Sequence, residues 1–140
     1  MTSSWVIPKK GRRYSRRFFD AEYMFDLPPR LLARVAKQES NYNANAQSSA
    51  GAKGLMQIVQ RWHPNLADPF DAVESIDYAA EFLRKLHDRF GTWSKALAAY
   101  NAGPTALASV IRKHKSNWLA HMPAETQAYV ANITHDLRII

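Results

Sequence analysis

No stretch of this chain sustains the apolar–polar alternation at every second position that a half-buried β-strand needs. Apolar residues recur instead at intervals of three and four, and prolines and glycines break them into short runs. That pattern excludes a sheet-based architecture and predicts short helices packed against one another. Leu31, Leu32, Val35 and Ala36 mark a helix over residues 29–40, entered at Pro28-Pro29 with Asp26 as its candidate cap. Ile76, Ala79, Ala80, Leu83, Leu86 and Phe90 form a longer stripe that starts after Asp68-Pro69 and ends at Gly91. Residues 93–101 and 105–114 predict two short helices broken at Gly103-Pro104. Pro123 opens a last helix with Tyr129, Val130, Ile133 and Leu137 on one side. Asn41–Gly54, rich in Asn, Ser, Ala and Gly, reads as a loop, and Leu55–Gln60 as one more helical turn. The expected fold is all-α.

A chain of 140 residues fits one domain and buries a core without cross-links. Cysteine is absent, so disulfides and thiolate chemistry are excluded. No apolar run reaches the length of a membrane span. The apolar stretch Trp5-Val6-Ile7, stopped by Pro8, is too short for a secretory signal, so a target outside the cytoplasm would need another delivery route. The net charge of +7 favours polyanionic partners without choosing among them. Much of it lies in residues 1–20, where Lys9, Lys10, Arg12, Arg13, Arg16 and Arg17 face one acid, Asp20. This segment shows no helical stripe. It reads as a basic N-terminal arm or lead-in to a domain over residues 21–140, docked through Trp5, Tyr14, Phe18 and Phe19.

Glu39 falls one turn beyond Val35, at the C-terminal end of an apolar helix face. A carboxyl in that place is expected to lose solvation, which disfavours its charged form and suits a general acid. The same residue could equally reach solvent or pair with Lys37 or Lys53. The five histidines show no metal-ligand spacing, and there is neither a phosphate-cradling Gly-rich loop nor a Ser-His-Asp pattern. No metal and no cofactor are expected. Residues 93–114 could suggest a helix-turn-helix, but no helix there is rich in base-reading side chains, so no specific nucleic-acid partner is expected.

Three blocks then bear on Glu39. Glu39-Ser40 is followed by the aromatic Tyr42, by Ser48, and by Gly51-Ala52-Lys53-Gly54-Leu55-Met56-Gln57. Ala99-Tyr100-Asn101-Ala102-Gly103-Pro104 comes next, and Glu125-Thr126 with Tyr129-Val130 closes the series. In order and spacing these resemble the three motifs of the soluble lytic transglycosylase (SLT) family of lysozyme-like enzymes, over about residues 28–135. The resemblance implies a lysozyme-like single domain of about six to eight short helices around a substrate cleft. It implies Glu39 as catalytic acid and base, supported by Ser48 and Tyr100, with Met56, Gln57, Asn101 and Glu125 binding substrate. Four of these have a plainer reading: Ser48 as a turn cap, Met56 as core filler, Tyr100 as a packed aromatic, Asn101 as a helix end. After Gln57 many relatives continue with Pro and Thr, whereas here Ile58-Val59-Gln60 follows; Ala79-Ala80 stands where relatives often carry Gly.

The implied reaction is cleavage of peptidoglycan glycan strands without water, leaving 1,6-anhydromuramic acid ends. A hydrolytic muramidase would need a second carboxylate, with Glu125 or Asp71 as candidates. Anionic wall or outer-membrane polymers are further partners for the basic surface, and a monomer is expected. An endolysin released from the host cytoplasm at lysis, or a virion-associated enzyme, fits a wall-degrading chain of this kind.

Overall fold

The computed structural model describes residues 2–140. Among them are six α-helices: α1 (Ser15–Met24), α2 (Leu31–Ser40), α3 (Ala72–Phe90), α4 (Trp93–Ala102), α5 (Pro104–His114) and α6 (Ala124–Leu137). Strand pairing among them is confined to a two-residue antiparallel pair, β1 (Ala52–Lys53) with β2 (Ile58–Val59), in which Ala52 faces Val59 and Lys53 faces Ile58, and to a single antiparallel bridge between Gln47 and Lys53. Residues 54–57 therefore form the turn of a small hairpin, and of the helical turn expected over Leu55–Gln60 only Gln60 is helical, opening a 3₁₀ turn that runs to Trp62. Gly54 and Gln57 both adopt left-handed backbone angles, φ +80° and +51°, and this reverses the chain before the β-branched pair Ile58-Val59.

Two compact units divide the chain, and the division falls inside α3. The first, Trp5–Phe82, is built on α2, whose Leu31, Leu32, Ala33, Val35 and Ala36 are fully buried. Leu55, Met56, Leu66, Ile76, Ala79 and Ala80 are equally enclosed. The second unit holds Leu83–Ile140 with the first few residues of the chain. There α4 packs against both α5 and α6. Ala96, Leu97, Ala98 and Ala99 are consecutive and all buried, as expected for a helix covered on every side. Gly103, at φ +96°, ends α4, and Pro104 takes the first position of α5, where its missing N–H costs nothing.

Two expectations need correcting at the N-terminal end. The lead-in is not free of helix: α1 runs from Ser15 across position 20 to Met24, with Phe18, Ala21 and Glu22 as its buried face. A stripe of three residues, one of them an acid, does not register as apolar periodicity. Trp5, Tyr14 and Phe18 do make inward ring contacts (Arg34 lies 6.0 Å from the Trp5 ring centre, and Tyr14 and Phe18 meet edge-on at 6.1 Å), but Phe19 faces solvent beside the exposed Tyr23.

The second correction concerns the start of α2. Arg30, at φ +69°, precedes Leu31, so Asp26 lies outside the capping position. Glu22 of α1 does that work from a distance, accepting the N–H of Arg30 and the N–H of Leu32 at 2.9 Å each. The Glu22 carboxyl is buried, and that burial lifts its pKa from 4.5 to about 7 against the opposing pull of these N–H donors and of Arg30. The sign of the consequence is fixed. The folded chain keeps a proton that the unfolded chain releases, so stability declines as pH rises from 4.5 to about 7. The decline attributable to Glu22 is on the order of 3 kcal/mol. Urea unfolding across that range should show it in the parent and a flatter profile in Glu22→Gln. Parallel profiles would mean that Glu22 does not titrate there.

Candidate active site

Glu39 sits in the last turn of α2, beyond the fully buried Val35, and is itself partly exposed. The helix ends abruptly after it. Asn41 (φ +50°) and Tyr42 (φ +66°) are consecutive left-handed residues that turn the chain back. Two non-glycine residues in this region are strained, and Tyr42 shows what holds them. Its ring is buried 6.3 Å from Phe18, and its hydroxyl donates to the Ala33 carbonyl at 3.0 Å. Burial pushes the phenol up to about 12, so it remains a donor throughout the working range.

Ser40, the neighbour of Glu39, ties the motif loop to the helix end. Its hydroxyl lies 2.7 Å from the Leu55 carbonyl and 3.2 Å from that of Ala36, bonding to each as donor. The loop is further closed by Gly54 N–H donating to Ala46 O at 2.8 Å. The Gln57 amide nitrogen donates to Ala46 O at 3.2 Å and to Gly54 O at 2.9 Å. The segment carrying Leu55, Met56 and Gln57 is thus fastened to the turn that bears Glu39.

The candidate residues of this unit take different positions. Gln57 is partly exposed. Met56 is fully buried. Ser48 is exposed, and its hydroxyl oxygen accepts the Ala52 N–H at 3.0 Å across a tight turn. Asp71 accepts the Glu74 N–H at 2.9 Å and so caps α3. Glu74 reaches back to the Ala67 N–H at 2.9 Å.

In the second unit, Tyr100 and Asn101 lie at the end of α4, both partly exposed, and Glu125 lies exposed in the first turn of α6. The two motifs are joined directly. The buried Thr126 hydroxyl donates to Asn101 Oδ1 at 2.8 Å. Asn101 therefore fastens α4 to α6. Thr126 and Ser40 stand inside the motifs, yet neither carries a role that residue type or spacing marks; Glu22 has no local signal at all, because its partners lie eight and ten residues away. Among the described residues, no cluster of three or more His, Asp or Glu side chains could hold a metal ion.

The model of one family, the Transglycosylase SLT domain, matches residues 16–121. The chain belongs to that family. This SLT domain is 30% identical over 122 residues to a transglycosylase of Enterobacteria phage PRD1, which covers 86% of the chain and 41% of the phage protein. It is 36% identical over 100 residues to membrane-bound lytic murein transglycosylase F 2 of Alkalilimnicola ehrlichii, over 65% of the chain and 22% of that protein. Among solved structures, the 70 kDa soluble lytic transglycosylase of Escherichia coli matches with a TM-score of 0.73 at 26% identity, over 86% of the chain and 22% of that one. An inactive mutant of the lytic transglycosylase Slt from Pseudomonas aeruginosa gives 0.72 at 25% identity, over 84% and 22%. The SLT domain thus spans less than half the length of each of these proteins, and it shares the lysozyme-like fold of the two solved structures.

Proposed function

We propose that the chain is a peptidoglycan lytic transglycosylase that uses Glu39 first as acid and then as base. The observation that carries this reading is the placement of Glu39: a partly exposed carboxyl on the last turn of an otherwise buried helix, fastened through Ser40 to the SLT motif loop.

In the first step the Glu39 carboxyl gives its proton to the glycosidic oxygen between N-acetylmuramic acid and N-acetylglucosamine, and the bond from that oxygen to C1 of the muramic acid breaks. In the second, the Glu39 carboxylate takes the proton of the C6 hydroxyl of the same sugar while O6 bonds to C1. The 1,6-anhydro ring closes, Glu39 regains its proton, and no water is consumed. One carboxyl group suffices because the substrate supplies the nucleophile, unlike hydrolases that need a pair. Asp71 fits this economy, since its carboxylate is engaged as a helix cap. Ser48 and Tyr100 support the acid in this reading. Gln57, Asn101 and Glu125 bind the glycan, while Met56, fully buried, is core filler. The phage relative supports action on a host wall, either at lysis or from a virion.

Mass spectrometry of fragments released from purified sacculi tests the reaction. Transglycosylation yields anhydro ends, lighter by one water than hydrolytic products. Reducing-end muramic acid as the only product would overturn the reading in favour of a muramidase.

A further inference from the structure

The outer face of α1 has no place in this chemistry. Phe19, Tyr23 and Met24 are 60%, 83% and 76% exposed, on a helix of ten residues whose other face is buried. Phe19 and Tyr23 lie one turn apart with their rings nearly parallel, 6.5 Å between centres and 18° between planes. Phe19 also lines a hollow of about 440 Å³ with Ile7, Phe18 and Pro29. Next to Ile7, Val6 is 68% exposed. The same stretch carries the basic run: Lys9, Lys10, Arg12 and Arg13 in the 3₁₀ turn before α1, then Arg16 and Arg17 in its first turn. Arg16 bonds to Asp20 at the surface, 3.1 Å away.

Large apolar side chains held in water are unfavourable, and a cluster of them on one face marks a surface with a partner. Two features decide its chemistry. Six cations against one exposed acid, Asp20, select a polyanion, since Glu22 is buried. A phosphate-rich glycan or nucleic acid would satisfy those cations, but it offers no apolar phase to the aliphatic chains of Met24 and Val6. A bilayer offers both, phosphate at its surface and hydrocarbon just beneath. We infer that α1 and the turn before it bind the surface of an anionic phospholipid bilayer, with Phe19, Tyr23 and Met24 entering the headgroup boundary while Lys9, Lys10, Arg12 and Arg13 meet lipid phosphates. The contact is peripheral: no helix among the described residues is long and apolar enough to cross a membrane.

Co-sedimentation of the full chain with vesicles tests this independently of wall cleavage. Vesicles of equal parts phosphatidylglycerol and phosphatidylcholine should bind it at least roughly tenfold more strongly than pure phosphatidylcholine, and raised salt should reduce the difference. The variant Phe19→Ser/Tyr23→Ser/Met24→Ser should lose roughly tenfold or more on the anionic vesicles, with its far-UV circular dichroism unchanged. Tyr23→Ser alone, at the most exposed of the three, should lose a smaller but measurable part and covers the case of a misfolded triple variant. Undiminished binding by these variants would overturn insertion, leaving charge alone. Equal binding to both vesicle types would overturn the role of the cations. Capture by sacculi or duplex DNA that depends on the three residues, without vesicle binding, would transfer the face to that polymer and overturn the lipid assignment.

Discussion

Glu39→Gln should abolish release of anhydro-muropeptides from sacculi, at least about a thousandfold below the parent, with the fold intact. Glutamine keeps the size of the side chain and one acceptor oxygen but can neither give a proton to the glycosidic oxygen nor take one from the C6 hydroxyl. General acid–base catalysis contributes roughly a hundred- to ten-thousandfold for a single transfer, and in the proposed mechanism both transfers pass through one group. Stability should barely move. Glu39 is partly exposed on the last turn of α2, while the packing of that helix rests on Leu31, Leu32, Val35 and Ala36. A neutral change outside that core is expected to alter the unfolding free energy by no more than about 0.5 kcal/mol. Glu39→Asp gives a useful companion: it retains a titratable group, withdrawn by one methylene, and should keep a small residual rate. Parent-level digestion by Glu39→Gln would take Glu39 out of the mechanism altogether, whatever the products prove to be.

The helices were legible in the sequence wherever burial follows the helical period. Ile76, Ala79, Ala80, Leu83 and Leu86 are the buried face of α3, and Tyr129, Val130, Ile133 and Leu137 that of α6. Gly103-Pro104 separates α4 from α5 as the backbone chemistry of the pair requires. The N-terminal end was less legible, because tertiary contacts decide it. α1 is held by Phe18 and Ala21 on a face shared with a carboxylate, and that carboxylate serves a helix that begins after a turn. No local pattern encodes a partner supplied by another element. The hairpin of β1 and β2 was hidden for a related reason. Two residues per strand are too few to show alternation, and the pairing depends on the left-handed angles at Gly54 and Gln57. At the candidate site the motifs single out the segments but not the hydrogen bonds that hold them. Ser40 and Thr126 carry the hydrogen bonds that fix the motif loop and join α4 to α6, and both stand beside residues whose types draw attention first.

Within the motif Gly51-Ala52-Lys53-Gly54, the two glycines should behave very differently, and Gly54→Ala should be the most destabilising single-methyl change in this loop. Both glycines have left-handed φ angles, +89° and +80°. An alanine at either position therefore meets backbone strain of about 1–2 kcal/mol. For Gly51 that is the whole cost, because nothing lies within 4 Å of the added methyl group. At Gly54 the methyl would fall 1.8 Å from the Pro69 carbonyl oxygen and 2.8 Å from its carbon. The methyl is fixed rigidly to its own backbone and meets backbone, so no rotamer relieves it, and either the hairpin or the segment before α3 must move. Forcing volume into a closed site adds about 1–3 kcal/mol, which brings the expected loss for Gly54→Ala to about 4 kcal/mol. The displacement also reaches the chemistry. Gly54 carries the carbonyl that receives the Gln57 amide, and Leu55, its neighbour, the one that receives the Ser40 hydroxyl beside Glu39. Wall digestion should therefore fall along with stability in Gly54→Ala, while Gly51→Ala remains active and loses only about 1 kcal/mol. Urea unfolding and sacculus digestion of the two variants side by side would check this. If they unfold at the same denaturant concentration, the loop yields at Gly54 and cannot be the rigid support that the position of Glu39 requires.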